Sequence, residues 1–128
     1  MTRRRLGPSL LVALLVGLGA CVPNTSPNVE SCAQPSVELE LTLTAEELEP
    51  GAPSVCRDQE VTLVVASEVE GVLHIHGYDS EVPAFEVGAG ETTEISFTAG
   101  RSGQFPIEFH PADDPQGIGV GVFTVHEL

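Results

Sequence analysis

Lysine is absent from the 128-residue chain, and five arginines stand against 19 Asp and Glu. Three of the five, Arg3, Arg4 and Arg5, precede the apolar run "LLVALLVGLGA", so residues 1–20 read as an export signal. That run is too short to span a bilayer comfortably. With the signal removed, only Arg57 and Arg101 remain against the acids, and the formal charge is 2 − 19 = −17. A surface this acidic repels phosphate backbones, which argues against a nucleic-acid partner, and it attracts small cations. The same acidity also serves solubility or a saline habitat, so it identifies no ligand by itself. Enzymatic signatures are lacking too. "AGRSGQ" does not have the spacing of a nucleophile elbow, no glycine loop leads into a helix to cradle phosphate, and the carboxylates are scattered. The expectation is a protein that is not an enzyme.

The signal ends in "LGAC", residues 18–21. This resembles the lipobox of bacterial lipoproteins, in which the cysteine is lipidated and becomes the mature N-terminus. The resemblance implies lipidation of Cys21 and a domain held at the extracytoplasmic face of the cell membrane by its acyl chains. "TRRRLG" also resembles a twin-arginine export motif but lacks the usual following lysine, so either export route is open. With Cys21 assigned to lipid, Cys32 and Cys56 are left to pair as a disulfide, which an exported location permits. Reduced thiols or a metal pair are the alternatives, and the pair lacks the CxxC spacing of zinc sites.

Residues 21–35 are rich in Pro, Ser and Asn and read as a flexible tether. Residues 36–128 then form one domain with apolar residues at period two. Val37, Leu39, Leu41 and Leu43 alternate with polar residues, as do Thr93, Ile95 and Phe97, and Phe105, Ile107 and Phe109. "VTLVVA" at 61–66 is apolar on both faces, as in a central strand, and "IGVGVFTVHEL" closes the chain as a last strand. "AEELEPGAPS" starts as a short helical turn and is broken by Pro50, Gly51 and Pro53. About seven short strands with Gly and Pro turns predict an all-β, antiparallel Greek-key sandwich.

The order "VTLVVAS…LHIHGYD", "FEVGAGETTEISFTAGRSGQFPIEFH" and a terminal "VGVFTV" resembles the cupredoxin-like domain over residues 36–128. "HIHGYD" with "IEFH" resembles a branch of exported bacterial proteins described as cupredoxin-like. The family's copper cysteine is not reproduced. Four residues on from Phe105 stands Phe109, and three further on Ala112 stands where a histidine is expected. The only methionine is Met1. A blue-copper centre needs a thiolate with imidazoles and a weak axial ligand, so no such centre is expected.

What can still bind metal is imidazole with carboxylate, a set suited to Cu(II), with Zn(II) as the alternative. His74 and His76, at i and i+2, point to one side of their strand. The resemblance brings His110 toward the same end of the sandwich, with Asp79, Glu108, Asp113 and His126 as further candidates. The same parity that pairs the histidines puts Leu73 and Ile75 in the core, so His74 and His76 equally read as an outward polar face, and His126 as simply exposed. Gly77 permits a turn at the strand end, Asp79 can bond to backbone amides there, and Tyr78 packs its ring at the end of the sandwich. Two functions follow. One is an envelope lipoprotein binding copper for trafficking or protection; the other is a metal-free interaction module of an envelope complex with a protein partner.

Overall fold

The computed structural model describes residues 29–127, so the signal, Cys21 and the first part of the tether lie outside the described residues. A one-turn helix, α1 (Val29–Cys32), precedes nine strands. Four of them form a sheet in the order β2 (Leu48–Glu49), β1 (Ser36–Leu43), β4 (Glu60–Ser67), β7 (Glu91–Thr98). Five form the other, in the order β3 (Ser54–Cys56), β9 (Ile118–His126), β8 (Gly103–Pro111), β5 (Gly71–Ile75), β6 (Phe85–Val87). This is the expected all-β sandwich, with the central place of 61–66 confirmed between β1 and β7.

Period two decides which residues fill the space between the sheets. Leu41, Leu43, Val61, Leu63, Val65 and Phe97 are buried from one side, and Leu73, Ile75, Ile107, Phe109, Phe123 and Val125 from the other. Tyr78 plugs one end of this core with no exposed surface, its ring 4.5 Å from that of Phe105, 5.6 Å from Phe123 and 6.1 Å from Phe97. Burial pushes its phenol above the ordinary value, and the neutral hydroxyl donates to the Arg101 carbonyl at 3.3 Å.

Four expectations are corrected. The sandwich has nine strands rather than about seven, because β2, β3 and β6 are two or three residues long. It is not wholly antiparallel: β1 runs parallel to β4, and β3 to β9. "AEEL" forms no helical turn. The Thr44 hydroxyl accepts the Glu46 and Glu47 amides at 3.3 and 3.2 Å, and the Thr44 amide donates to the Glu47 carbonyl at 2.9 Å. That side-chain turn feeds the chain directly into β2. Finally, the tether does not run free to residue 35. Cys32 is disulfide-bonded to Cys56, as expected, and Gln59 in addition donates its amide to the carbonyls of Ser31 at 2.9 Å and Gln34 at 2.8 Å.

Candidate metal centre

β5 buries Gly71, Leu73 and Ile75, so Val72 and His74 face outward from the five-stranded sheet. His76 follows the strand in the same phase, its amide donating to the Pro106 carbonyl at 2.8 Å. On β8 the inward residues are Ile107 and Phe109, so Glu108 and His110 share the outward face. The antiparallel register sets His74 opposite Glu108 and Val72 opposite His110. His74, His76, Glu108 and His110 therefore share the outward polar face of this sheet.

His74, His76 and Glu108 each offer a ligand atom, all within 4.8 Å of one another. Ligands around one Zn or Cu ion sit about 2.0–2.2 Å from it, so such donors lie within about 4.4 Å of each other, and small side-chain rotations close the difference. His76 is exposed while His74 and Glu108 are half-buried. The pairing of β8 with β9 slips between Ile107 and Glu108, and Glu108 consequently faces Gly119. A side chain there would meet nothing within 4 Å. This bulge leaves the approach to Glu108 open.

Asp79 reaches back across the turn at Gly77, whose φ of +78° suits glycine. Its carboxylate hydrogen-bonds His74 Nε2, which holds Asp79 below the usual carboxylate range. An ion at His74 would therefore take Nδ1 or displace Asp79 from Nε2.

The other candidates lie elsewhere. His110 is outside the three-residue group, on the opposite side of His74 from His76, with its ring centroid 6.3 Å from that of His74. Its Nε2 stands 3.6 Å from Glu108 Oε2, and its ring is packed so closely on Gly117 that a Cβ there would lie 2.6–3.0 Å from ring atoms. Asp113 lies beyond it in an acidic groove also lined by Glu70, Glu86, Glu91 and Asp114. His126 is paired in register with Cys56 on β3, and it is not simply exposed: its Nε2 is buried without a partner among the described residues.

A blue-copper centre does not fit the described residues. Phe109, standing at the expected cysteine position, is a buried phenyl, and Cys32 and Cys56 are bonded to each other. The donor set fits a harder site of imidazole and carboxylate.

No protein-family model matches the sequence, and neither does any curated protein. Solved structures do. The chain is similar to the metal-binding domain of the Cu(I)-exporting P-type ATPase CopA from Streptococcus pneumoniae D39, with 16% identity over 73% of this chain and 88% of that one and a TM-score of 0.53. Auracyanin A, a "blue" copper protein from Chloroflexus aurantiacus, aligns over 71% of this chain and 99% of its own, with 16% identity and a TM-score of 0.51. A chain of a heme-copper terminal oxidase dimer gives a TM-score of 0.55 at 14% identity over 70% of this chain, which spans 64% of that longer chain. With two facing sheets, a core of alternating apolar residues and these neighbours, the described domain has the cupredoxin-like fold.

Proposed function

We propose that the chain is an exported, lipid-anchored domain that binds one divalent copper ion through His74, His76 and Glu108, for metal trafficking or protection. The observation that carries this reading is the convergence of those three ligand atoms on one open patch. The copper proteins among its structural neighbours support the choice of metal. Zinc is the competing ion, since imidazole and carboxylate suit both.

The test is calorimetric titration of the mature domain with Cu(II) and Zn(II) in moderate salt. The expected result is about one tight site per chain, with weak visible absorption because no thiolate supplies an intense charge-transfer band. Affinity falls on acidification as protons compete for the imidazole nitrogens. His76→Ala and Glu108→Ala weaken binding strongly, whereas His126→Ala leaves it nearly unchanged. Adsorption to an acidic surface would instead give many weak sites, screened by salt and indifferent to every substitution. That outcome would favour the second reading, a metal-free interaction module, for which Ile118 and Val122 speak, being 37% and 40% exposed on a strand of the same sheet. Anchoring is tested separately: Cys21→Ser should block lipid attachment and leave unprocessed precursor in the membrane.

A further inference from the structure

The loop that follows β5 carries both His76 and Asp79, yet it has little regular structure to hold it. Its own backbone supplies two short turns, in which the Tyr78 amide donates to the Ile75 carbonyl at 3.0 Å and the Glu81 and Val82 amides to the Tyr78 carbonyl at 3.2 and 2.9 Å. The rest comes from across the sandwich. Arg101, in the turn between β7 and β8, donates Nη2 to the Gly77 carbonyl at 2.6 Å and to Glu81 Oε2 at 3.0 Å, and Nε to Glu81 Oε1 at 2.9 Å. The guanidinium also lies over two rings, 5.1 Å from the Tyr78 centroid and 5.3 Å from that of Phe105. The backbone of Arg101 meets the same tyrosine, its amide donating to the Tyr78 hydroxyl at 3.4 Å.

We infer that Arg101 is a positioning residue for the metal centre, fixing the loop from Gly77 to Glu81 so that His76 and Asp79 are presented to His74. The inference rests on the metal-binding reading above. A planar guanidinium is the group for this task. It holds a carboxylate with two parallel hydrogen bonds, stacks on aromatic faces and still has a donor for a carbonyl, none of which an ammonium does equally well. Charge points the same way. Arg57, the other basic residue of the domain, is engaged at a different place with Glu127 at 2.8 Å. Without Arg101, Glu81 and the Gly77 carbonyl lose their charged donor, and a loop that already contains Asp79 keeps only acids. Gly77 is the residue next to His76, so movement there is transmitted through one peptide unit to a ligand. Asp79 lies two residues further on, so the same movement releases His74 from the hydrogen bond that orients its ring.

The experiment compares Cu(II) binding and the Cu(II) electron paramagnetic resonance spectrum of wild type, Arg101→Gln, Arg101→Lys and Gln59→Leu. Gln59→Leu weakens the fold far from this loop and serves as the control for stability alone. The expected result is about a tenfold loss of affinity in Arg101→Gln, at the low end of what outer-shell partners contribute. Arg101→Lys is intermediate, because it keeps charge and loses the fork. The nitrogen hyperfine pattern of Arg101→Gln should change from that of two imidazoles toward one. Gln59→Leu should keep the wild-type spectrum and affinity in the folded range. Wild-type affinity and spectrum in Arg101→Gln, or a loss no greater than in Gln59→Leu, would overturn the inference while leaving the metal centre standing. Absence of His76-dependent binding in wild type would overturn both.

Discussion

Gln59 lies between Asp58 and Glu60 in sequence, and 5% of its surface is exposed. Its side chain makes three hydrogen bonds. Oε1 accepts the Cys56 amide at 2.8 Å, and Nε2 donates to the carbonyls of Ser31 and Gln34 at 2.9 and 2.8 Å. Replacing it with leucine keeps the volume and deletes all three. The Cys56 amide is then left buried and unsatisfied, at a cost of about 1–3 kcal/mol. The two carbonyls belong to exposed residues that can turn to water, so about 0.5 kcal/mol each is a fair cost. Extra apolar burial returns about 1 kcal/mol. The expected net destabilisation is about 2 kcal/mol, read as a lower urea midpoint at unchanged slope. Gln59→Glu provides the discriminating comparison. It retains an acceptor for the Cys56 amide but turns a carboxylate oxygen toward two carbonyls, and should cost at least as much as leucine. A loss below about 0.5 kcal/mol for leucine, or a harmless glutamate, would refute the idea that this side chain fastens residues 31–34 to the domain.

Further outcomes are expected elsewhere in the molecule. The disulfide spans 24 residues in sequence, so reduction should cost about 3.5 kcal/mol in the chain-entropy model and lower the thermal midpoint by about 15 °C, while thiol titration of the denatured, unreduced domain finds no free thiol. Gly71→Ala should destabilise by about 2 kcal/mol in urea, because its Cβ would run into the His110 carbonyl and lie 2.6 Å from the Phe109 ring. Arg101 and Ser80 hold Glu81 at about 2, below its ordinary 4.5. A depressed carboxyl stabilises the fold above its unfolded value and loses that contribution as pH falls from about 4.5 toward 2. The full linkage would be about 3.4 kcal/mol, which solvent screening of a rim pair reduces to about 1 kcal/mol. Wild type should therefore lose about 1 kcal/mol more than Glu81→Gln between pH 5 and pH 2.5 by urea unfolding, and parallel profiles would contradict the assignment.

The long strands were legible because each carries its burial in its own period. The alternation of Val37 to Leu43, and of Phe105 to Phe109, reappears as the inward faces of β1 and β8. The short strands were not. Leu48–Glu49 and Ser54–Cys56 are too brief to show a period, and their pairing comes from β1 and β9 beside them. Nothing in a local pattern says that β1 will lie parallel to β4, since both would look alike in either direction. Gln59 was missed for a related reason. A polar residue between two acids reads as surface, and it is buried only because residues 31–34, assigned to a tether, fold back over it.

At the candidate metal centre, the phase of each histidine is legible in the sequence but its neighbour across the sheet is not. Phase alone puts His74, His76, Glu108 and His110 on one outward face, and so cannot choose between Glu108 and His110 as the third ligand. Register chooses. The pairing of Leu73 with Phe109 and of Ile75 with Ile107 is set by the core, and it carries Glu108 to His74 while leaving His110 beside Val72. The core thus sets which polar side chain stands across from His74 without touching it. Phe109 occupies the place where the resemblance expects a thiolate, so the sandwich is closed by apolar packing, and His74, His76 and Glu108 sit outside that packing. The proposed metal binding is then expected to be separable from folding. On the proposed reading, the turns at Gly77 and Arg101, rather than the core, determine how His76 and Asp79 are presented to His74.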